Sequence, residues 1–115
     1  MKIALFGQYY QNSTAEIVQK VVTFLESNAI TIAFEASFLA SLKEKNIILK
    51  EYETYSNYNN LDADFKALIS IGGDGTILKA ATFVRDKNIP IIGINAGRLG
   101  FLATIQFENI ETLLQ

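Results

Sequence analysis

Short apolar runs alternate along the chain with longer segments in which apolar residues recur at helical spacing. The apolar runs are typical of buried strands and occupy residues 3–6, 30–34, 65–71 and 89–94. The helical spacing predicts helices over residues 13–27, 38–45 and 76–86. Strands that alternate with helices predict an α/β fold, in which a Rossmann-like parallel sheet carries helices on both faces.

Three parts of the chain need separate interpretation. In the helix over 76–86, the spacing predicts that four apolar residues face the core: Ile77, Leu78, Ala81 and Val84. Within residues 46–64, residues 47–49 could form a strand or a helix. The tyrosines at 52, 55 and 58, among asparagine and serine neighbours, predict a half-buried loop anchored on an edge of the sheet. After residue 100 the pattern predicts a strand over 101–105 and the start of a helix over 108–114. This last helix has barely two turns, so we expect the chain to be part of a longer one.

The composition excludes several classes of site. Half of the 115 residues are hydrophobic and 19% are charged, which favours a folded domain over a disordered chain. The net charge of −2 and the pI of about 5.0 argue against a nucleic-acid-binding surface. Because the chain has no cysteine and no histidine, disulfides, thiolate or histidine metal sites and Ser–His or Cys–His catalysis are excluded. No apolar run approaches the ~20 residues of a membrane span and the start does not resemble a signal peptide, so we expect a cytoplasmic protein without membrane contact.

Residues 72–76 carry the clearest chemistry, with the sequence Gly-Gly-Asp-Gly-Thr between a predicted strand and a predicted helix. Glycines let backbone amides approach an anion, and a helix start adds a positive dipole end. An aspartate held among such amides can act on a hydroxyl beside a bound phosphate. The arrangement predicts a phosphoryl-transfer site around Asp74. The alternative is a tight turn in which Asp74 or Thr76 only caps the helix. The spacing fits neither a Walker loop nor the dinucleotide fingerprint.

A second glycine-rich segment, Asn-Ala-Gly-Arg-Leu-Gly over residues 95–100, follows the strand predicted over 89–94. Since the carboxyl ends of parallel strands meet at one edge of a sheet, both segments could line one crevice. Arg98 could donate to a phosphate or be a solvated surface charge. Lys79 follows Asp74 by five residues, and its spacing alone favours a solvated charge.

Together, residues 72–78 and 95–102 resemble the NAD kinase family. The resemblance implies ATP-dependent phosphorylation of the 2′-hydroxyl on the adenosine ribose of NAD, which gives NADP. It implies that Asp74 is the base for that hydroxyl and that Gly75 presents its amide to the dinucleotide. Lys79 matches a position that contacts NAD, and Phe101 matches an aromatic position beside the adenine. Mg²⁺ or another divalent cation is expected with the ATP.

The same resemblance sets the expected organisation. Residues 1–100 are expected to form the amino-terminal α/β domain, and residues 101–115 the start of a connection to a β-rich domain that this sequence lacks. The parent protein is expected to be a homo-oligomer, and this chain alone to have weak or no activity. No residue is expected to ligate a metal. The residues predicted to bind the nucleotides are Gly72, Gly73, Asp74, Gly75, Thr76, Lys79, Asn95, Arg98 and Phe101.

Two alternatives stay open. Lipid kinases of the diacylglycerol and sphingosine type share the Gly-Gly-Asp-Gly-Thr loop, but an Asn-Glu pair usually follows it, whereas Ile-Leu-Lys-Ala follows here. The chain also lacks the basic amphipathic helix that would favour a membrane surface. The other alternative is a nucleotide-binding module without catalysis.

Overall fold

The computed structural model describes residues 1–8 and 12–95, which form five strands and three α-helices. The strands are β1 (Lys2–Gly7), β2 (Thr31–Glu35), β3 (Glu53–Tyr55), β4 (Phe65–Gly72) and β5 (Ile91–Asn95). The helices are α1 (Asn12–Ser27), α2 (Ala36–Glu44) and α3 (Asp74–Val84), and a short 3₁₀ turn covers Tyr58–Asn60. The strand and helix predicted after residue 100 lie outside the described residues.

All five strands lie in one parallel sheet in the order β3-β2-β1-β4-β5. The predicted parallel α/β fold is confirmed. The chain first builds outward from β1 to β3 and then returns to the other side of β1 with β4. Ligands of such sheets bind outside the carboxyl ends of the strands at the point where the order reverses. In this protein that point lies between β1 and β4.

The sheet separates two hydrophobic cores because successive strand residues point to opposite faces. Helices α1 and α2 cover one face, where Val18, Leu25 and Leu42 pack with Ile3 and Leu5 of the central strand. Helix α3 covers the other face. The core there is formed by Ala4, Phe6, Ala33, Tyr55, Leu61, Phe65, Leu68, Ala80, Val84 and Ile89. The prediction of helices on both faces is therefore confirmed.

The prediction of a loop around Tyr52, Tyr55 and Tyr58 is wrong in part. Residues 53–55 form β3, which pairs in parallel with β2 at the edge of the sheet. Tyr55 is only 2% exposed and lies in the core under α3. Tyr52 instead packs against Phe34 on the opposite face, with ring centroids 5.1 Å apart. A strand of three residues is too short to show its alternation in the sequence, so its neighbours' polarity dominated the prediction.

The predicted inward face of α3 is also largely wrong. Ile77 and Leu78 are 40% and 74% exposed, and Ala81 is exposed as well. The buried residues are Thr76, Ala80 and Val84, with exposures of 0%, 0% and 5%. Both sets recur at helical spacing, and the more apolar set misled the prediction.

The end of α1 offers a test of local backbone strain. Ala29 has a positive φ of 57°, and the next amide, on Ile30, donates to the carbonyl oxygen of Leu25 at 3.0 Å. This is a Schellman ending, whose left-handed residue is usually glycine because a Cβ costs roughly 1–2 kcal/mol there. We expect Ala29→Gly to raise the free energy of unfolding in urea by about 0.5–1 kcal/mol.

Ala40→Gly is the matched control, because Ala40 is exposed inside α2. There the same substitution should lower the free energy of unfolding by about 1 kcal/mol, since glycine has the lower helix propensity. Loss of stability in both variants would contradict the strain assigned to Ala29.

Candidate active site

The carboxyl ends of β1 and β4 lie side by side at the point where the strand order reverses. Gly7 is opposite Ile71 in the ladder, and the amide of Gln8 donates to the carbonyl oxygen of Ile71 at 3.2 Å. A Cβ on Gly7 would lie 2.5 Å from that same oxygen and 2.8 Å from the ring of Phe38. Glycine at position 7 therefore lets β1, β4 and α2 meet closely.

The predicted phosphate loop turns directly from β4 into α3. Gly72 is the last residue of β4, Gly73 is the N-cap and Asp74 is the first residue of the helix. The amides of Thr76 and Ile77 donate to the carbonyl oxygen of Gly73 at 3.1 and 3.4 Å. The amides of Asp74 and Gly75 precede these first helical bonds, so they have no partner within the helix and lie at its positive end. This arrangement can hold an anionic group.

The alternative in which Asp74 or Thr76 caps the helix is not what the structure shows, because Gly73 occupies the cap position. The helix also begins two residues earlier than predicted. The Asp74 side chain lies outside the described part of the chain, so the structure places the backbone of this residue and not its carboxylate.

Thr76 fixes the loop to the neighbouring strand. Its side chain is fully buried, and a Cβ on Gly72 would lie 2.4 Å from its Oγ1. The Thr76 hydroxyl donates to Oε1 of Gln8 at 3.2 Å. Sequence reasoning missed Gln8, although its position directly after the first strand placed it at the same edge of the sheet. These contacts hold the first turn of α3 against the ends of β1 and β4.

Gly75 has a different environment from the other glycines of the loop. A Cβ at this position would meet no heavy atom within 4 Å, and the residue is exposed. No described contact of the protein therefore requires glycine here. Close approach of a ligand to the Gly75 backbone would supply the reason.

Gly75→Ala and Gly72→Ala should separate binding from folding. We expect Gly75→Ala to keep or raise the free energy of unfolding, by about 0.5–1 kcal/mol, because alanine is the better helix former. It should nevertheless weaken nucleotide binding, measured by calorimetry. Gly72→Ala should lower the free energy of unfolding, because its Cβ meets the buried Thr76. Unchanged nucleotide binding by Gly75→Ala would remove this amide from the site.

A cleft of about 290 Å³ lies beside the loop, on the side of β1 and β2. We call it the β1–β2 cleft, and its lining residues are Phe6, Gly7, Gln8, Glu35, Ser37, Phe38, Ser41, Lys79 and Phe83. The structure thus brings Lys79 to the edge of the sheet where the loop lies. Its ammonium group is exposed and makes no ion pair with any described side chain. A position on a cleft favours a ligand role over the solvated charge that spacing alone suggested.

The second glycine-rich segment begins on the other side of the loop. Asn95 is the last residue of β5 and is opposite Gly72 in the ladder between β4 and β5. The two segments therefore start next to each other, which supports the prediction that they line one crevice. The Asn95 side chain, Arg98 and Phe101 lie outside the part of the chain that the structure describes.

The described residues contain neither a cluster of metal-ligating side chains nor a membrane-spanning helix. Residues 1–8 and 12–95 contain no group of three or more carboxylates that could hold a metal ion. None of the helices described is long and apolar enough to cross a membrane.

Comparison with known proteins gives consistent matches. Residues 3–115 match the family model described as the ATP-NAD kinase N-terminal domain. The NAD kinases of Flavobacterium johnsoniae and Flavobacterium psychrophilum are 55% and 56% identical to this chain over 115 residues. The NAD kinase of Methanothermobacter thermautotrophicus is 34% identical over the same length. The chain spans 39% of the length of the two Flavobacterium relatives and 38% of the third.

A solved structure shares the fold. The crystal structure of yeast NADH kinase complexed with NADH matches with a TM-score of 0.69, over 99% of this chain and 38% of the yeast chain. At 15% sequence identity, this likeness speaks for the fold alone. The family model, in contrast, covers nearly every residue. The resemblance seen in the two glycine-rich segments is confirmed, and the chain belongs to the ATP-NAD kinase family as its N-terminal domain.

Proposed function

We propose that the polypeptide carrying this chain is an NAD kinase, which transfers the γ-phosphate of ATP to the 2′-hydroxyl on the adenosine ribose of NAD. The observation that carries this proposal is the loop at the point where the strand order reverses. It presents the amides of Asp74 and Gly75, which have no partner within the helix, at the start of α3. The NAD kinases that are up to 56% identical to this chain support the same reaction.

In the proposed reaction, the Asp74 carboxylate accepts the proton of the 2′-hydroxyl. The freed oxygen forms a bond to the γ-phosphorus, the bond from that phosphorus to the β,γ-bridging oxygen breaks, and ADP leaves. The products are ADP, NADP and the proton. Backbone amides at the start of α3 stabilise the charge on the transferred phosphoryl group, where positioned donors contribute most.

The remaining predicted residues have supporting roles in this proposal. Gly72 and Gly73 shape the loop, and Thr76 locks it to Gln8. Asn95, Arg98 and Phe101 contribute to the NAD side of the crevice, and Lys79 contacts NAD from α3, as the resemblance implies. A divalent cation, Mg²⁺ or another, is proposed to arrive with the triphosphate and neutralise part of its charge.

The substrate site is proposed to extend beyond this chain, which spans 39% of the length of its Flavobacterium relatives. Residues 1–100 would be the α/β domain, and residues 101–115 would begin the connection to a β-rich domain that completes the NAD contacts. Assembly into a homo-oligomer and a cytoplasmic location are part of the same proposal. It follows that residues 1–115 alone should form little or no NADP.

The test is NADP formation from NAD and Mg-ATP, read with an NADP-specific dehydrogenase. The longest natural polypeptide that contains this chain and residues 1–115 alone are assayed in parallel. Activity of the longer polypeptide alone is expected. If the longer polypeptide is folded and inactive, the proposal is wrong, and phosphorylation of diacylglycerol or sphingosine is assayed next. Robust NADP formation by residues 1–115 would overturn the proposed need for a second domain.

A further inference from the structure

The β1–β2 cleft contains several polar groups that the protein itself does not use. The ammonium group of Lys79 and the hydroxyls of Ser37 and Ser41 make no hydrogen bond or ion pair with another described residue. One cation and two hydroxyls around a concave surface are typical of a ligand site rather than of a packing defect. The volume of about 290 Å³ is at the lower end of ligand pockets, so it suits a nucleoside and not a whole dinucleotide.

Glu35 gives the cleft a second, opposite type of polar group. Its side chain is 7% exposed and closes the N-terminus of α2 by accepting from the amides of Ser37 at 3.0 Å and Phe38 at 2.9 Å. Each oxygen thus accepts one bond, whereas a carboxylate has about four acceptor positions. The remaining positions are available to hydroxyl groups of a ligand in the cleft.

The location of Glu35 also matters. It ends β2, which lies next to β1 on the side away from β4. In dinucleotide-binding domains with this strand order, an acidic residue about 20 residues beyond the first strand's turn accepts a hydrogen bond from the ribose of the bound nucleotide, and Glu35 has a comparable place here although the glycine fingerprint is absent. Phe6, Phe38 and Phe83 supply the apolar part of the same cleft, which suits a nucleobase.

We propose that the β1–β2 cleft binds the nucleoside of the triphosphate donor, with its ribose hydroxyls on Glu35 and its phosphates directed past Lys79 to the start of α3. This inference rests on the proposed function, in which the enzyme holds a donor and an acceptor nucleotide together. In this arrangement the Asp74 backbone and the amide of Gly75 lie between the donor and the acceptor nucleotide.

The strand order explains why the donor, and not NAD, occupies this cleft. The ends of β1 and β2 lie on one side of β4, and the end of β5 lies on the other. The segment that starts at Asn95 is proposed to contact NAD, and it extends from the β5 side. An in-line transfer needs the attacking and leaving oxygens on opposite sides of the phosphorus. The donor nucleotide is therefore expected to bind on the β1–β2 side of the loop.

Two substitutions in the cleft, measured by steady-state kinetics in the longest active polypeptide, test which nucleotide the cleft binds. Ser41→Phe fills the cleft from the half-buried face of α2, and Lys79→Gln removes the cation. Each variant should raise KM for ATP about 10-fold to 100-fold. In Ser41→Phe, KM for NAD should stay within about 2-fold. Thr23→Phe and Lys20→Gln are matched controls on the exposed side of α1, and they should change neither constant.

The Glu35 contact is tested with 2′,3′-dideoxy-ATP as the donor. The wild-type enzyme should use this analogue at least about 10-fold less efficiently than ATP, because its ribose lacks the hydroxyls that would donate to the Glu35 carboxylate. Glu35→Gln should lose most of this discrimination. Both donors are assayed with the same preparation of the variant. A weaker N-cap on α2 therefore affects both activities alike and leaves the ratio of the ATP activity to the dideoxy-ATP activity unchanged.

Each outcome decides between the two proposals. A rise of KM for NAD, but not for ATP, in Ser41→Phe would place the acceptor in the cleft and overturn the inference alone. If the folded wild-type polypeptide forms no NADP, the proposed function fails. Calorimetry with the magnesium complex of adenylyl imidodiphosphate then tests the cleft. Loss of binding in Ser41→Phe would keep the cleft as a nucleotide site, and unchanged binding would exclude it.

Discussion

Replacing Asp74 with asparagine is expected to lower the rate of NADP formation by a factor of about 10²–10⁴, which is the usual contribution of a positioned general base. The proposed reaction requires a group that takes a proton from the 2′-hydroxyl, and the chain has no histidine for this task. An asparagine side chain would keep the size of the aspartate but could not accept the proton. The amides at the start of α3 would still bind phosphate, so KM for ATP should change far less than kcat.

Asp64→Asn is the matched control for this substitution. Asp64 is exposed just before β4, at the opposite end of the strand from the loop, so the same loss of charge should leave kcat unchanged. The free energy of unfolding should fall by at most about 1 kcal/mol in Asp74→Asn, because one negative charge is lost from a helix N-terminus. A variant that keeps full kcat would exclude Asp74 as the base.

The sequence predicted most of the fold because the fold depends on strong local patterns. Apolar runs and helical spacing identified β1, β2, β4, β5 and all three helices, and their alternation implied parallel pairing. The strand order depends instead on which surfaces fit together over long distances. Gly7 illustrates this, because only the structure shows that β1 must come within reach of Ile71 and Phe38 there.

The candidate site was predicted unevenly for a similar reason. Residues 72–76 combine several rare features, so their role could be proposed without coordinates. Gln8 and Glu35 are ordinary polar residues in the sequence, and they stand out only when the ends of β1, β2 and β4 are brought together. Spacing alone favoured a solvated charge for Lys79 and the family resemblance favoured a nucleotide contact, and the structure places this residue on the β1–β2 cleft.

Tyr55 stabilises the face of the sheet under α3 from an unusual position. It belongs to the edge strand β3, yet its hydroxyl donates to the carbonyl oxygen of Leu5 in β1 at 3.0 Å. Its ring passes over β2 on the face where Ala33 offers only a methyl group, and it meets Phe83 edge-on at 5.6 Å. One side chain therefore connects the edge strand, the central strand and α3 on this face.

Tyr55→Ala should lower the free energy of unfolding by about 3–5 kcal/mol, the range for removing a large aromatic side chain from a core. Tyr55→Phe keeps the ring and loses only the hydrogen bond to Leu5, so it should cost about 0.5–1.5 kcal/mol near pH 8. Urea denaturation of the three proteins measures both effects. Equal stability of Tyr55→Ala and the wild type would show that the ring does not contribute to the core.

The pH dependence of the wild type and Tyr55→Phe should differ above pH 10. Burial, and then the charge of Glu35, raise the pKa of Tyr55 well above its ordinary value of 10.0. Above pH 10 the tyrosine of the unfolded chain releases its proton, while Tyr55 of the folded protein retains it. The stability that Tyr55 contributes is therefore lost as the pH rises. The slope is up to about 1.4 kcal/mol per pH unit.

Tyr55→Phe lacks this slope, so its deficit should vanish and then reverse within about one pH unit above pH 10. Burial and the hydrogen bond to Glu26 raise the pKa of Tyr52 to about 12. Because Tyr52 titrates in both proteins, its effect cancels from the difference in their free energies of unfolding. Denaturation curves at pH 8, 10 and 11 measure the crossing. A constant difference between the two proteins would mean that the Tyr55 hydroxyl is accessible to water in the folded state, in conflict with the contact to Leu5.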